Sequence, residues 1–381
     1  MWFANFNSNA CLHTAGSRFP HPGTFEVAKT ESVEIDHKQS PLKVVVPSDL
    51  KGLCYIHVGI QQGQQTSSVE LTIPTLQSNE LSWQQKLENA QNVLFCKELF
   101  CHLAREAVQL QLPMPTLVIG NQIIATLFPG IQLTIGLCHS TTKARRTVKH
   151  EEEDERRDQK AKLINPKNHN HVLEHSLHQL LREIHHNALN HPLPHPVTAT
   201  LGISPNRYFA GPEATDKQTL IESCKTETIL EQIISQSQHT VLRMRTMRLI
   251  DDLSGQLTDP LLLSHWTSIN SPFQSSVKLT IVSFGYDHFC RSRFTIQVGS
   301  RSLKVICRDG RKFNLSYEEK ELTALLWSQI SQHQVLAAQG LAKIMGWQTL
   351  SYNIECGTGP LKPTAVGTAS SLLICSPDGE R

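Results

Sequence analysis

The sequence predicts an α+β chain: two α/β units, each running strands, long helix, strands, joined by a charged linker and a helical segment. Three observations predict it. Short apolar runs punctuated by Pro and Gly flank two long helical stretches. Each stretch opens on a Ser-x-x-Gln or Ser-x-x-Glu pattern, in which side chain and backbone amide satisfy each other at a helix start. A block of dense mixed charge divides the halves.

The elements follow in order. Residues 1–15 form a leader. "GTFEVAK", "PLKVVVP", "CYIHVGI" and "VELTIP" read as strands. Ser82 and Gln85 then cap a helix that Pro113 and Pro115 end. "TLVIGNQIIATLF" and "IQLTIGLC" resume as strands, which closes a first unit at 16–140. Along its helix, Trp83, Leu87, Ala90 and Leu94 share one face, while Leu99, Phe100, Leu103 and Ala107 fall on roughly the opposite one. A helix covering a single sheet keeps a single stripe, so this one is expected to be buried on more than one side.

Residues 141–168 form the linker. Its core, 143–162, holds eight Lys/Arg and six Asp/Glu. Intermixed signs cancel the field, and the block reads as a solvated connection. Residues 169–255 form the helical segment. It is interrupted by the Pro-rich stretch "HPLPHPVTATLGISP" and resumes as a helix from about Asp216 to Leu253. Arg243, Arg245 and Arg248 do not share one face of that helix, which disfavours a phosphate-binding cluster. The second unit, 256–381, contains "FTIQV" and "SLKVICRDGRKFNLS", with Asp309-Gly310 as a hairpin turn. Ser316 and Glu319 cap a helix that Gly346 ends, and "WQTLSYNI" returns as a strand. "LSWQQK" and "LSYEEK" open the two long helices alike. Six positions are explained as well by shared cap chemistry as by duplication.

Composition limits function. A net charge of +2 gives no sign of a polyanion partner or of direct sequence-specific nucleic-acid binding. No apolar run reaches the ~18–20 residues of a membrane span. The ten cysteines, without a CxxC pair, read as reduced thiols of the cytosol or nucleus. No GxSxG elbow, P-loop or GxGxxG is present, so no catalytic residue, cofactor or small-molecule substrate is expected.

The stretch 169–191 carries seven histidines. His171, His175 and His178 follow the spacing with which a helix presents ligands to zinc, so a His-dependent metal-binding hydrolase is the competing reading. On a helical wheel His171, His175, His178, Arg182 and His185 lie within an arc of roughly 80°, opposite Leu173, Leu177, Leu180, Leu181, Ile184 and Ala188. The histidines then form the polar face of an amphipathic helix. HExxH is absent, so no metal site is expected. His333, among apolar helix positions, reads as a hydrogen-bonded core histidine.

The blocks "AGSRFPHPGTFEV", "WQQKLENAQNVLFCKELFCHLAREAVQ", "NQIIATLFPGIQLTIGLCHS", "VLEHSLHQLLREIHHN", "DPLLLSHWTSIN", "RDGRKFNLSYEEKEL" and "SQHQVLAAQGLAKIMGWQTLS" resemble, in the same order, the family of Mediator subunit 17. The resemblance implies a nuclear, non-enzymatic scaffold of the Mediator head module. It would be a coactivator component contacting subunits 6, 8, 11, 18, 20 and 22 and the RNA polymerase II machinery. It also implies a central fragment, without the family's N-terminal helical region and C-terminal end, and an exposed apolar patch near the C-terminus. Leu99, Phe100, Leu103, Leu177, Leu180 and Ile184 are the candidate partner contacts.

Overall fold

The computed structural model describes residues 8–12, 15, 17, 19–21, 23–29, 42–62, 82–109, 116–140, 169–190, 228–267, 270–284, 290–353 and 371–377. The strand expected at 69–74, the charged block 143–162, the Pro-rich stretch and the turn "GTGP" lie outside them. The chain is α+β and divides into two compact units, Met1–Ile234 and Ser235–Arg381.

In the first unit β1 (Ser8–Leu12), β2 (Gly23–Lys29) and β3 (Leu42–Val45) form a small antiparallel sheet. A second sheet has the order β4-β7-β6-β5, from β4 (Cys54–Gln62), β5 (Thr116–Ile119), β6 (Gln122–Phe128) and β7 (Ile131–His139). All its pairs are antiparallel. Alternation sends Ile56, Val58, Ile123, Ala125, Leu127, Leu133 and Ile135 to one buried face. Helix α1 (Trp83–Gln109) packs on this sheet. Its start is the expected reciprocal cap: Ser82 N–H donates to Gln85 Oε1 at 3.1 Å and Gln85 N–H to Ser82 Oγ at 3.3 Å. Gly52 sits at φ +102°, where a Cβ would come within 1.9 Å of the Ser140 carbonyl oxygen, so only glycine admits that close approach.

Two more helices follow. α2 (His171–Asn190) packs on β4 and α1. α3 runs from Ile229 to Gln256, and the boundary between the units falls within it. It starts well after the expected Asp216, since residues 216–227 lie outside the described ones. Its cap is a Thr-x-x-Glu box missed in the sequence. Thr228 N–H donates to Glu231 Oε2 at 3.2 Å and Glu231 N–H to Thr228 Oγ1 at 3.3 Å.

The second unit is a five-stranded antiparallel meander, order β12-β11-β10-β9-β8. Its strands are β8 (Leu261–Thr267), β9 (Ser275–Val282), β10 (Arg291–Val298), β11 (Leu303–Cys307) and β12 (Lys312–Leu315). β8 and β9 were not expected, although Val277, Leu279 and Ile281 alternate as a strand should. Register stacks them into rungs across the sheet: Leu279–Phe294–Cys307 and Val277–Ile296–Val305. His239 of α3 bonds Ser275 Oγ at 2.9 Å on this face, and Arg243 lies 5.5 Å from the Trp266 ring centre. Arg245 bonds the Tyr317 carbonyl and Arg248 is exposed, so the three arginines do separate work.

Helix α4 (Glu319–Ile344) follows. The expected Ser316–Glu319 box is corrected. Ser316 Oγ accepts from Glu318 N–H, and Glu321, one turn in, reaches back to Ser316 N–H at 2.7 Å. Helix formation begins three residues after Ser316, so Glu319 is the first helical residue and stands too early to fold back. Gly346, at φ +74°, ends α4, with Trp347 N–H on the Ala342 carbonyl at 2.8 Å. His333 is fully buried. Nε2 meets Ser283 Oγ at 3.1 Å and Nδ1 meets Ser292 Oγ at 3.0 Å. β13 (Gln348–Asn353) and β14 (Ser371–Cys375) close the unit as a ribbon that leaves Leu350, Tyr352 and Leu373 exposed. Among the described residues, no helix is long and apolar enough to cross a membrane.

Candidate functional site: the histidine helix and its seat

Helix α2 is seated rather than free. Asn170 Oδ1 accepts the backbone N–H groups of Val172 and Leu173, at 3.1 and 3.2 Å, and so caps the first turn. Leu173, Leu177 and Leu181 are buried along one line of the helix. His185 continues that line, at 4% exposure, and its Nε2 lies 2.8 Å from Glu98 Oε1. Glu98 Oε2 accepts from Ser17 Oγ at 2.8 Å.

This corrects the wheel drawn from sequence. The buried arc is turned by about 40° at ~100° per residue, which brings His185 inward and carries Ile184 out to 36% exposure. The cause is a buried acid. Glu98 of α1 points ~180° from Ala107, away from the sheet, and a carboxylate there needs donors. His185 supplies one. Beside it, Phe95 packs edge-on against His178 and His185, with Arg182 5.9 Å from its ring centre. α1 is thus buried on two sides, by the sheet along Val93, Cys96, Leu99, Phe100 and Leu103 and by α2 at Phe95 and Glu98. A third anchor sits one helical turn on. Glu106 Oε2 accepts from Leu230 N–H at 2.8 Å, placing a carboxylate on the start of α3.

The candidate contact residues separate accordingly. Leu99, Phe100, Leu103 and Leu177 are buried in this chain's own packing, which corrects their expected place at a partner surface: α2 and the sheet already cover them. Leu180 is half-buried and Ile184 exposed, so these two remain available. Glu98, Ser17, His169 and Asn170 were missed. Only the Asn170 cap had a local signal, an Asn directly before a helical repeat.

The expected trio His171, His175 and His178 does not come together. The structure instead gathers His169, His171 and Glu174, whose ligand atoms lie within 4.8 Å of one another. Hydrogen bonding decides how this group reads. His169 Nδ1 accepts the Val58 N–H at 3.2 Å, so the ring proton sits on Nε2, which donates to Glu174 Oε2 at 3.0 Å. A metal-bound histidine uses one nitrogen as ligand and donates from the other. Here the nitrogen facing Glu174 holds the proton and the other accepts, so ligation would require an anionic ring. The arrangement is a hydrogen-bonded clamp. Burial, with a hydrogen bond to Tyr55 and one from the His57 backbone pulling the other way, leaves the nearby Cys138 thiol raised to about 11. A hydrogen bond with Cys54, then burial, pushes the Cys96 thiol up, and burial does the same to the Tyr55 phenol. Neither thiol is an activated nucleophile. At His333, burial lowers the imidazole pKa and both ring nitrogens face Ser hydroxyls, while burial raises the neighbouring Cys290 thiol.

Fold and site define a class first: a two-unit α+β chain whose polar clusters hold helices in place. The family model for subunit 17 of the Mediator complex matches residues 33–255, and that for the Mediator complex subunit 17 middle domain matches 260–313. Mediator of RNA polymerase II transcription subunit 17 of Aedes aegypti is 46% identical over 392 residues, covering 97% of this chain and 58% of that protein. Its Drosophila melanogaster counterpart is 45% identical over 410 residues, covering 100% and 61%. The Xenopus tropicalis protein is 43% identical over 382 residues, covering 96% and 57%. The chain belongs to the Mediator subunit 17 family. It spans about three-fifths of the length of these relatives. A chain of the Schizosaccharomyces pombe Mediator head module superposes with a TM-score of 0.37 at 12% identity, over 85% of this chain and 71% of that one, too loosely to define a shared arrangement.

Proposed function

We propose that this chain acts as a non-enzymatic scaffold of the Mediator head module, in the nucleus, within the coactivator that links regulators to RNA polymerase II. The observation that supports it is family membership at 43–46% identity along nearly the whole chain. The site chemistry agrees. Its buried acid and histidines bond one another and the backbone, and so fix helices. Subunits 6, 8, 11, 18, 20 and 22 and the polymerase machinery are the proposed partners. Leu180 and Ile184 on α2 are the proposed contact residues.

Affinity purification of the tagged chain from nuclear extract tests the reading. Other Mediator subunits are expected to co-purify, and Ile184→Asp is expected to reduce their recovery. Purification of the folded chain without any Mediator subunit would overturn the scaffold role.

A further inference from the structure

β4 is an edge strand, and edge strands present unpaired backbone groups that proteins cover or blunt. Two residues close this edge. His169 Nδ1 accepts the Val58 N–H, and the Asn170 N–H donates to the Val58 carbonyl at 2.7 Å. Gly59 bridges to His169 in antiparallel fashion. Asn170 also caps α2, so one fastening seals the edge and positions the helix start.

The fastening requires a neutral ring in one tautomer, with a lone pair on Nδ1 and the proton on Nε2. The groups facing it come from four elements. β4 provides His57, stacked with ring centres 5.1 Å apart and planes at 28°, Tyr55 edge-on at 6.3 Å, and Cys54. β7 and α1 provide Cys138 and Cys96, which face Glu174. α2 provides His171, edge-on at 4.3 Å, and Glu174. Burial keeps His57 on the neutral side.

We propose that His169 is a proton-released latch: a proton on Nδ1 expels the Val58 N–H, frees residues 169–170 from β4, and uncovers the sheet edge at Val58 and Gly59. Glu174 does not prevent this. It belongs to the same segment as His169 and bonds Nε2 in both charge states, so it stabilises the charged ring equally whether the latch is closed or open. Only a contact that differs between two states shifts their balance. The contacts that differ are those to β4. In the closed state a charged ring sets Nδ1–H against the Val58 N–H and lies beside His57.

Amide hydrogen exchange on the full chain tests this, with rates corrected for intrinsic pH dependence. Protection of the Val58 and Asn170 amides is expected to fall about tenfold per pH unit from pH 6.5 to 5.5, the slope of one linked proton. His169→Asn places a non-titrating oxygen where Nδ1 sits and is expected to remove that one-proton slope. Equal slopes in the two proteins, or a flat wild-type profile, overturn the latch. Nitrogen-15 spectra of the ring give a check independent of any variant: at pH 7.5 His169 must be the Nε2–H tautomer, and Nδ1–H overturns the proposal. Stoichiometric zinc should leave Val58 protection at pH 7.5 unraised. A rise would show that the cluster holds a metal instead.

Discussion

Replacing Glu98 with Ala attacks the point where three segments of the first unit meet. The carboxylate is 8% exposed and accepts from Ser17 Oγ and from His185 Nε2, each at 2.8 Å. Hydrogen bonds to a charged group contribute about 1.5–3 kcal/mol each. Breaking a buried pair by deleting one member costs about 3–5 kcal/mol, because the survivor stays buried without its partner. These are two views of one loss and do not add. Glu98→Ala should therefore destabilise the first unit by about 3–5 kcal/mol, or lower its melting temperature by roughly 6–20 °C for a unit of this size. Glu98→Gln keeps the shape and one acceptor oxygen, and should cost about 1–2 kcal/mol. Glu88→Ala, on the exposed side of the same helix, should stay within about 0.5 kcal/mol. Urea unfolding monitored by exchange protection in α1 and α2 reads all three. If Glu98→Ala costs no more than Glu88→Ala, the cluster does not hold α2 and the account of its rotated face fails.

Leu177→Asp should unfold the first unit, since burying an unpaired carboxylate adds to the loss of about 1.5–3 kcal/mol of apolar burial. Ile184→Asp on the next turn should leave the melting temperature within a few degrees. Circular dichroism melts of both proteins separate the faces. His333→Ala should cost roughly 2–4 kcal/mol, because Ser283 and Ser292 lose their partner in the core, whereas Gln334→Ala on the exposed side should be near neutral. Burial depresses His57, His139 and His178 in the first unit and His239 and His333 in the second. The unfolded chain therefore binds protons first, and each unit should lose stability as pH falls below about 6.5, the unfolded histidine value, and on through the lower folded ones. Urea midpoints that rise or hold between pH 7 and 5 would contradict the burial of these rings.

The periodicities that sequence carries well are those one element states by itself. The Ser82–Gln85 box, the Gly346 stop and the alternation of "QIIATLF" each lie within a few residues, and each was legible. What escaped was set between elements distant in sequence. Glu98 and His185 stand 87 positions apart, and Val58 and His169 stand 111 apart. A wheel records where side chains point but not which side the protein closes over. His185 lies about 40° beyond Leu181, near enough to either face that its partner decides. That partner, an acid on the outward side of α1, looked on the sequence like an ordinary solvated charge. The same reasoning explains why seven histidines suggested zinc and proved otherwise. Spacing can bring imidazoles together, but the ring nitrogen that holds the proton is fixed by what each ring meets, and at His169 that is a backbone N–H of a strand. A strand edge needing an acceptor, and a buried acid needing a donor, are two demands imidazole can meet without a metal. The polar cluster around α2 is therefore part of the same packing problem as the leucines beside it, which is the form a scaffold's chemistry should take.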